Sequence, residues 1–241
     1  MMNKRLRGIV VRSVEYLEND RLLTVLTFEE GTVAIKAKGV RKKGAKLAFA
    51  AGLFFCGDFE VVESNDRYIL TGAARLYDYS GLAKDLDRYY MGCHFLDIAS
   101  FIIMEKNPDE EMLRFLLNAL HIMNKGKCNL VLLRAIFEFR TAVISGFAPA
   151  INECAICQRE TAAKTFSVED GGFVCCGTGI ETDEYIRSAV EQISEAEMKE
   201  LFSIEMPLES AEKLRTLSSL YIEMVFDRKF NKLEQLEGTG Y

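Results

Sequence analysis

Four cysteines carry the clearest chemical spacing in the chain. Cys154 and Cys157 form a C-x-x-C, and Cys175 and Cys176 follow after seventeen intervening residues. Four thiolates converging on one point at about 2.3 Å make a tetrahedral structural zinc site. The first pair is spaced as a zinc knuckle requires. The second is not, because the position three beyond Cys175 is Thr178. Adjacent cysteines in extended chain face opposite sides, so Cys175 and Cys176 can both ligate only in a tight turn, which Gly177 and Gly179 permit. The expectation is one structural zinc on Cys154, Cys157, Cys175 and Cys176, with a metal-free relic knuckle or a single disulfide as the alternatives. A thioredoxin-like redox pair would need a strand before the C-x-x-C within a βαβ pattern, and none precedes it.

A second chemistry is cationic. In Val33–Lys46, VAIKAKGVRKKGAK, the residues Val33, Ile35 and Ala37 alternate with Lys36 and Lys38. This pattern predicts a half-buried strand with two lysines on its open face. Gly39 breaks the alternation, and Arg41, Lys42, Lys43 and Lys46 crowd into a Gly-punctuated loop. Such a surface suits a polyanion, although a short charge run also serves as a solvated loop. The phosphate-binding candidates are therefore Lys36, Lys38, Arg41, Lys42, Lys43 and Lys46, with Arg5, Arg7, Arg12 and Arg21 secondary. Tyr16 and Phe28 are candidate stacking faces, although core or ordinary surface roles suit both.

Nothing in the sequence resembles a catalytic centre. His94 and His121 each sit in an apolar helical segment, and Asp97 lies one turn from His94 with no Ser or Cys nucleophile pattern beside it. Core or boundary roles account for both histidines. Phosphate-loop, nucleophile-elbow and zinc-protease motifs are missing, so no enzyme activity is expected.

The net charge of −6 hides an asymmetry. Residues 1–50 carry eleven basic and five acidic side chains, a balance of +6, and the remaining residues carry −12. Charges beyond about 10 Å are largely screened at physiological salt, so a basic N-terminal unit attracts phosphates despite an acidic body. No apolar run is long enough to cross a bilayer, and the start of the chain lacks the pattern of a signal peptide. Seven scattered cysteines do not resemble a secreted disulfide framework, and the expected compartment is a reducing cytoplasm.

These residues need elements to hold them. Residues 6–78 contain five strand candidates, at 6–14, 21–29, 32–39, 53–63 and 67–78, with turns at Glu29-Glu30-Gly31 and Ser64-Asn65-Asp66. Five short strands suit a small closed barrel, an OB-fold in the commonest case and an SH3-like barrel in the other. Helical periodicity then covers about 83–105, a segment opened by Asn107-Pro108-Asp109-Glu110 and running to Met123, residues 130–145, and about 208–230. Ser194-Glu195-Ala196-Glu197 has the form of a capping box. The fold class is α+β multidomain: an OB-fold barrel at 1–80, an all-α domain at 81–146 and 183–241, and a Cys-rich zinc-finger-like insertion at 147–182.

This order, together with specific segments, resembles the bacterial RecO family of DNA repair proteins. Gly8-Ile9-Val10-Val11-Arg12 and Asn19 through Thr27 are similar to its opening pair of strands. Ala37-Lys38-Gly39-Val40-Arg41-Lys42 resembles its AKGARR segment. Gly146-Phe147-Ala148-Pro149, the C-x-x-C, Phe166-Ser167 and Gly171 through Cys175 are similar to its zinc-finger region. Thr178 and the acidic helical body depart from the pattern. The resemblance implies a non-enzymatic recombination mediator, associated with the nucleoid, that binds single- and double-stranded DNA and anneals complementary strands. It also implies RecR as a partner in loading RecA, and contact with the C-terminal tail of single-stranded-DNA-binding protein. A zinc-ribbon adaptor working through protein contacts alone is the alternative of a different class.

Overall fold

The computed structural model describes residues 2–64 and 67–230. Of the turn expected at Ser64-Asn65-Asp66, the last two residues lie outside the described ones, as do 231–241 of the expected C-terminal helical segment.

Five strands, β1 (Met2–Tyr16), β2 (Asp20–Thr27), β3 (Gly31–Ala37), β4 (Cys56–Ser64) and β5 (Arg67–Tyr77), close into a barrel in the order β1-β2-β3-β5-β4. The parallel pairing of β3 with β5, Ile35 opposite Tyr68 and Lys36 opposite Ile69, is the closure of an OB-fold. It is incompatible with an all-antiparallel SH3-like meander. The alternation expected in β3 is observed: Val33, Ile35 and Ala37 point into a core shared with Leu6, Val10, Leu23, Val25, Phe59 and Val61. Lys36 consequently faces outward.

Two helices complete this part of the chain. Asp85 caps α1 (Leu86–Ile102) by accepting from the Arg88 amide. The Tyr89 ring meets Phe54 edge-on at 5.7 Å, and Gly92 leaves room for the same ring, which an added Cβ would approach to 2.9 Å. Beyond α1 the chain bonds to the β2–β3 turn, with the Thr32 amide donating to Met104 O and the Lys106 amide to Glu30 O. The cap of α2 (Glu110–Lys125) is Asp109, whose carboxylate accepts from the Met112 amide at 2.9 Å. Asn107, the expected cap, is instead paired with Met104 in a small bridge, which places Pro108 outside the helix.

Residues 126–230 form a second compact unit, and the barrel with the two helices up to Lys125 belongs to the first. Asn129 caps α3 (Leu130–Ile144), which packs against α6 (Leu208–Phe226), while α4 (Glu184–Glu195) contacts both. Inside this bundle the Glu138 carboxylate is fully buried, accepting from Arg134 and from the hydroxyls of Ser218 and Ser219. The capping box expected at Ser194–Glu197 does not form. Ser194 lies in the last turn of α4 and bonds back to Val190 O, and Glu197 precedes a single turn, α5 (Met198–Leu201), without capping it. The last helix ends at Phe226 rather than near 230, because Asp227 adopts φ +47° and terminates it. Short strands β6 (Thr165–Ser167), β7 (Gly172–Val174) and β8 (Ile180–Glu181) form a three-stranded sheet in the cysteine segment. Among the described residues no helix is long and apolar enough to cross a membrane.

Candidate nucleic-acid interface and metal centre

The cationic segment is built around the tip of the β1–β2 hairpin. Gly39, at φ +66°, turns the chain away from β3 in a conformation that L side chains resist. Its amide donates to the Asp20 carboxylate at 2.8 Å, and the Arg41 amide donates to Asn19 O at 3.0 Å. Two of the ten candidate cations are absorbed in this latch. Lys36 pairs with Asp20 at 3.1 Å while lying over the Tyr16 ring, and Arg41 pairs with Glu15 at 2.9 Å and donates to Glu18 O. The Gly39 amide first, and Lys36 second, hold the Asp20 carboxyl below its ordinary range.

The remaining loop cations are differently placed. Lys38, Lys42, Lys43 and Lys46 are exposed, and among the described residues no carboxylate lies within ion-pairing distance of any of them. Arg12 on β1 is likewise exposed, and Arg21 on β2 donates to the Ser13 hydroxyl at 3.0 Å. Successive i to i+3 turns, from Lys42 bonded to Gly39 through Ala51 bonded to Ala48, give the loop a defined path.

Arg5 and Arg7 belong to another place. They lie toward the opposite end of β1, where Phe28 of the β2–β3 turn bonds to Arg7 O, and both reach Asp58 on β4, at 2.5 and 3.1 Å. The Asp58 side chain is only 6% exposed while its two partners are more than half exposed. Burial pulls the Asp58 carboxyl upward, but the hydrogen bonds and charges of Arg5 and Arg7 outweigh it and hold the group below its ordinary range. The ten candidates thus form two groups, one of them largely neutralised by the protein's own carboxylates.

Both candidate stacking rings carry a cation, Lys36 over Tyr16 and the guanidinium of Arg114 over Phe28 at 5.5 Å, and both are half-buried. Phe49, just beyond the loop lysines, is an aromatic ring left outward, at 45% exposed. The sequence signal was present, a single phenylalanine in an alanine-rich stretch, but nothing there separated it from a core residue. Asp58 and Asp20 carried no local signal at all, since their roles come from strand register. His94 is buried in α1 and His121 is exposed on α2.

The four cysteines converge. Cys154 and Cys176 sulfurs are 3.7 Å apart, Cys157 and Cys175 sulfurs 3.6 Å, and all four lie within 4.8 Å of one another. A tetrahedron with bonds of about 2.3 Å has edges of about 3.8 Å, so these separations fit a zinc ligand set better than a disulfide, whose sulfurs stand about 2.05 Å apart. The bend after β7 supplies the turn that adjacent cysteines require. Gly172 allows β7 to lie against Ala150, whose carbonyl oxygen an added Cβ would approach to 2.4 Å, and Ala155 bonds to Phe173 O. Amides of Cys157 and Cys175 pull the buried Cys154 thiol down to about 5, and Arg159 lowers Cys157. Hydrogen bonding to Cys157 and Cys154 pushes Cys176 up to about 12 and raises Cys175. Four crowded sulfurs cannot all be anionic without a cation among them, and this division of protons expresses that.

Two family models match the chain: Recombination protein O N terminal over residues 1–75, and Recombination protein O C terminal over residues 83–234. The DNA repair protein RecO of Caldicellulosiruptor bescii is 28% identical across 95% of this chain and 95% of its own length. That of Halalkalibacterium halodurans is 25% identical across 100% and 98%. That of Rubrobacter xylanophilus is 31% identical across 71% and 69%.

Proposed function

The chain belongs to the RecO family, and from that premise we propose that it is a non-catalytic DNA-binding mediator of recombinational repair. It binds single- and double-stranded DNA, anneals complementary strands, and with RecR assists RecA in loading onto single strands at the nucleoid, in contact with the tail of single-stranded-DNA-binding protein. The observation that carries this reading is the set of four exposed lysines, Lys38, Lys42, Lys43 and Lys46, displayed by an OB-fold barrel without carboxylate partners among the described residues. Annealing requires two like-charged strands to approach, and cationic side chains that displace condensed counterions supply both the affinity and the screening. Arg12 and Arg21 extend that surface. Lys36 and Arg41 contribute field and rigidity, and Arg5 and Arg7 remain secondary because Asp58 holds them.

Zinc on Cys154, Cys157, Cys175 and Cys176 is part of the proposal, as a structural ion. When bound it would neutralise the sulfurs and tie the C-x-x-C to the bend after β7. The chain's own contribution is the amides around Cys154 and the Arg159 side chain at Cys157, which favour thiolates there before any metal arrives. Burial of Cys154 also keeps it from a redox partner.

The cysteine geometry equally favours the second reading, a zinc-ribbon adaptor that acts through protein contacts alone. The test pairs metal analysis of protein purified without added zinc with a gel shift on single-stranded and duplex oligonucleotides. The mediator reading expects a shift with both the single-stranded and the duplex oligonucleotide, and accelerated annealing of complementary strands. Stoichiometric zinc with no DNA affinity would favour the adaptor and remove the mediator reading.

A further inference from the structure

We infer that Phe49 is a stacking platform for an unpaired nucleobase, making the loop after β3 a site that distinguishes single strands from duplex. The inference rests on the DNA-binding reading and adds to it the class of ligand that this loop prefers. Three observations carry it.

Phe49 is exposed where its neighbours are not: Phe54, Phe55 and Phe59 are each buried to 5% exposure or less, whereas Phe49 stands at 45%. The ring is also braced. It meets Phe55 edge-on at 5.6 Å, and Phe55 meets Phe59 edge-on at 5.4 Å in the barrel core, so the exposed ring is the outer end of an aromatic ladder. Its backbone lies in a 3-10 turn at Ala48–Ala50, and the Ala51 carbonyl is held by the Ser13 hydroxyl at 2.6 Å. Finally, exposed cations lead up to it: Lys42, Lys43 and Lys46 precede the 3-10 turn that carries the ring, and Arg75 lies over the Phe55 ring that braces it, at 5.8 Å.

An exposed, rigid aromatic ring beside phosphate-binding lysines is the arrangement that binds single-stranded nucleic acid without reading its sequence, because every base offers a π face. In a duplex those faces are stacked inside and unreachable. Lysines act on both forms, and the ring on one only.

The test measures binding of the full chain to a labelled oligothymidylate and to a duplex of equal length, by fluorescence anisotropy, for wild type, Phe49→Ala, Phe49→Tyr and the Lys42→Ala/Lys43→Ala variant. The expected result for Phe49→Ala is a loss of about tenfold on the single strand with duplex affinity unchanged, and recovery in Phe49→Tyr. Unchanged duplex affinity also shows that the barrel is folded. The chain contains no tryptophan, so Phe49→Trp adds a single reporter, whose emission the single strand should quench and the duplex should not. Equal losses on both ligands, or no loss on either, overturn the inference while leaving the DNA-binding reading intact. Wild type binding neither ligand overturns both. A Lys42→Ala/Lys43→Ala variant that binds like wild type removes the lysines from the mechanism and leaves Phe49 without its flanking site.

Discussion

Asp58 shows how a single carboxylate sets the character of a surface. It is buried beneath two arginines that would otherwise present their full charge beside β1. Its carboxyl is held below the ordinary 3.8, so the unfolded chain binds the proton more readily than the folded one. The stability this confers is fully present above the ordinary value and is lost as pH falls through the lowered one. Asp58→Asn is expected to cost about 1–2 kcal/mol at neutral pH, and to show a shallower fall in urea midpoint than wild type below about pH 4. Parallel acid titrations of the two proteins check this. At the cysteines, Cys154→Ser is expected to reduce bound zinc from about one equivalent towards none, measured by elemental analysis of protein purified without added metal. Which lysines face solvent was legible from the period of two in β3. Which of them stay unpaired was not, because the partner of Lys36 comes from the register that sets it opposite Leu22, within reach of Asp20.

The elements followed the sequence where their periodicity was strong. All five barrel strands and the helices opening near 86, 110, 130 and 208 lie where apolar spacing put them. The helix at Glu184–Glu195 escaped notice, although Asp183 caps it and Ile186, Ala189, Val190 and Ile193 form its buried stripe. A capping-box pattern at its far end drew the reading instead, and no tertiary information was there to correct it. The α3–α6 contact holds the most demanding group in the bundle. Glu138, with Arg134 beside it and Ser218 and Ser219 bonded across from α6, is a buried carboxylate whose desolvation these partners offset. Glu138→Ala is expected to destabilise this unit by about 3 kcal/mol, since it leaves the largely buried Arg134 without its carboxylate, whereas Arg134→Met/Glu138→Leu together should cost much less. Chemical denaturation of the three proteins decides whether the pair is required or merely tolerated.

Over the whole molecule, an acidic chain carries its positive charge at one end, and in this respect the sequence was informative: the split of +6 against −12 is visible without coordinates. Less visible was the spending of that charge on internal ion pairs at Asp20, Glu15 and Asp58, which concentrates the available part in the loop of Lys38 to Lys46. The account's central claim is that this loop neutralises phosphates. The direct measurement is a salt titration of single-stranded DNA binding for wild type beside Lys42→Ala/Lys43→Ala. Each phosphate contact on a single strand contributes about −0.7 to the slope of log affinity against log salt, so the double variant should bind more weakly and with a slope shallower by about 1.4. An unchanged slope would contradict the account, because these side chains would then release no counterions when DNA binds.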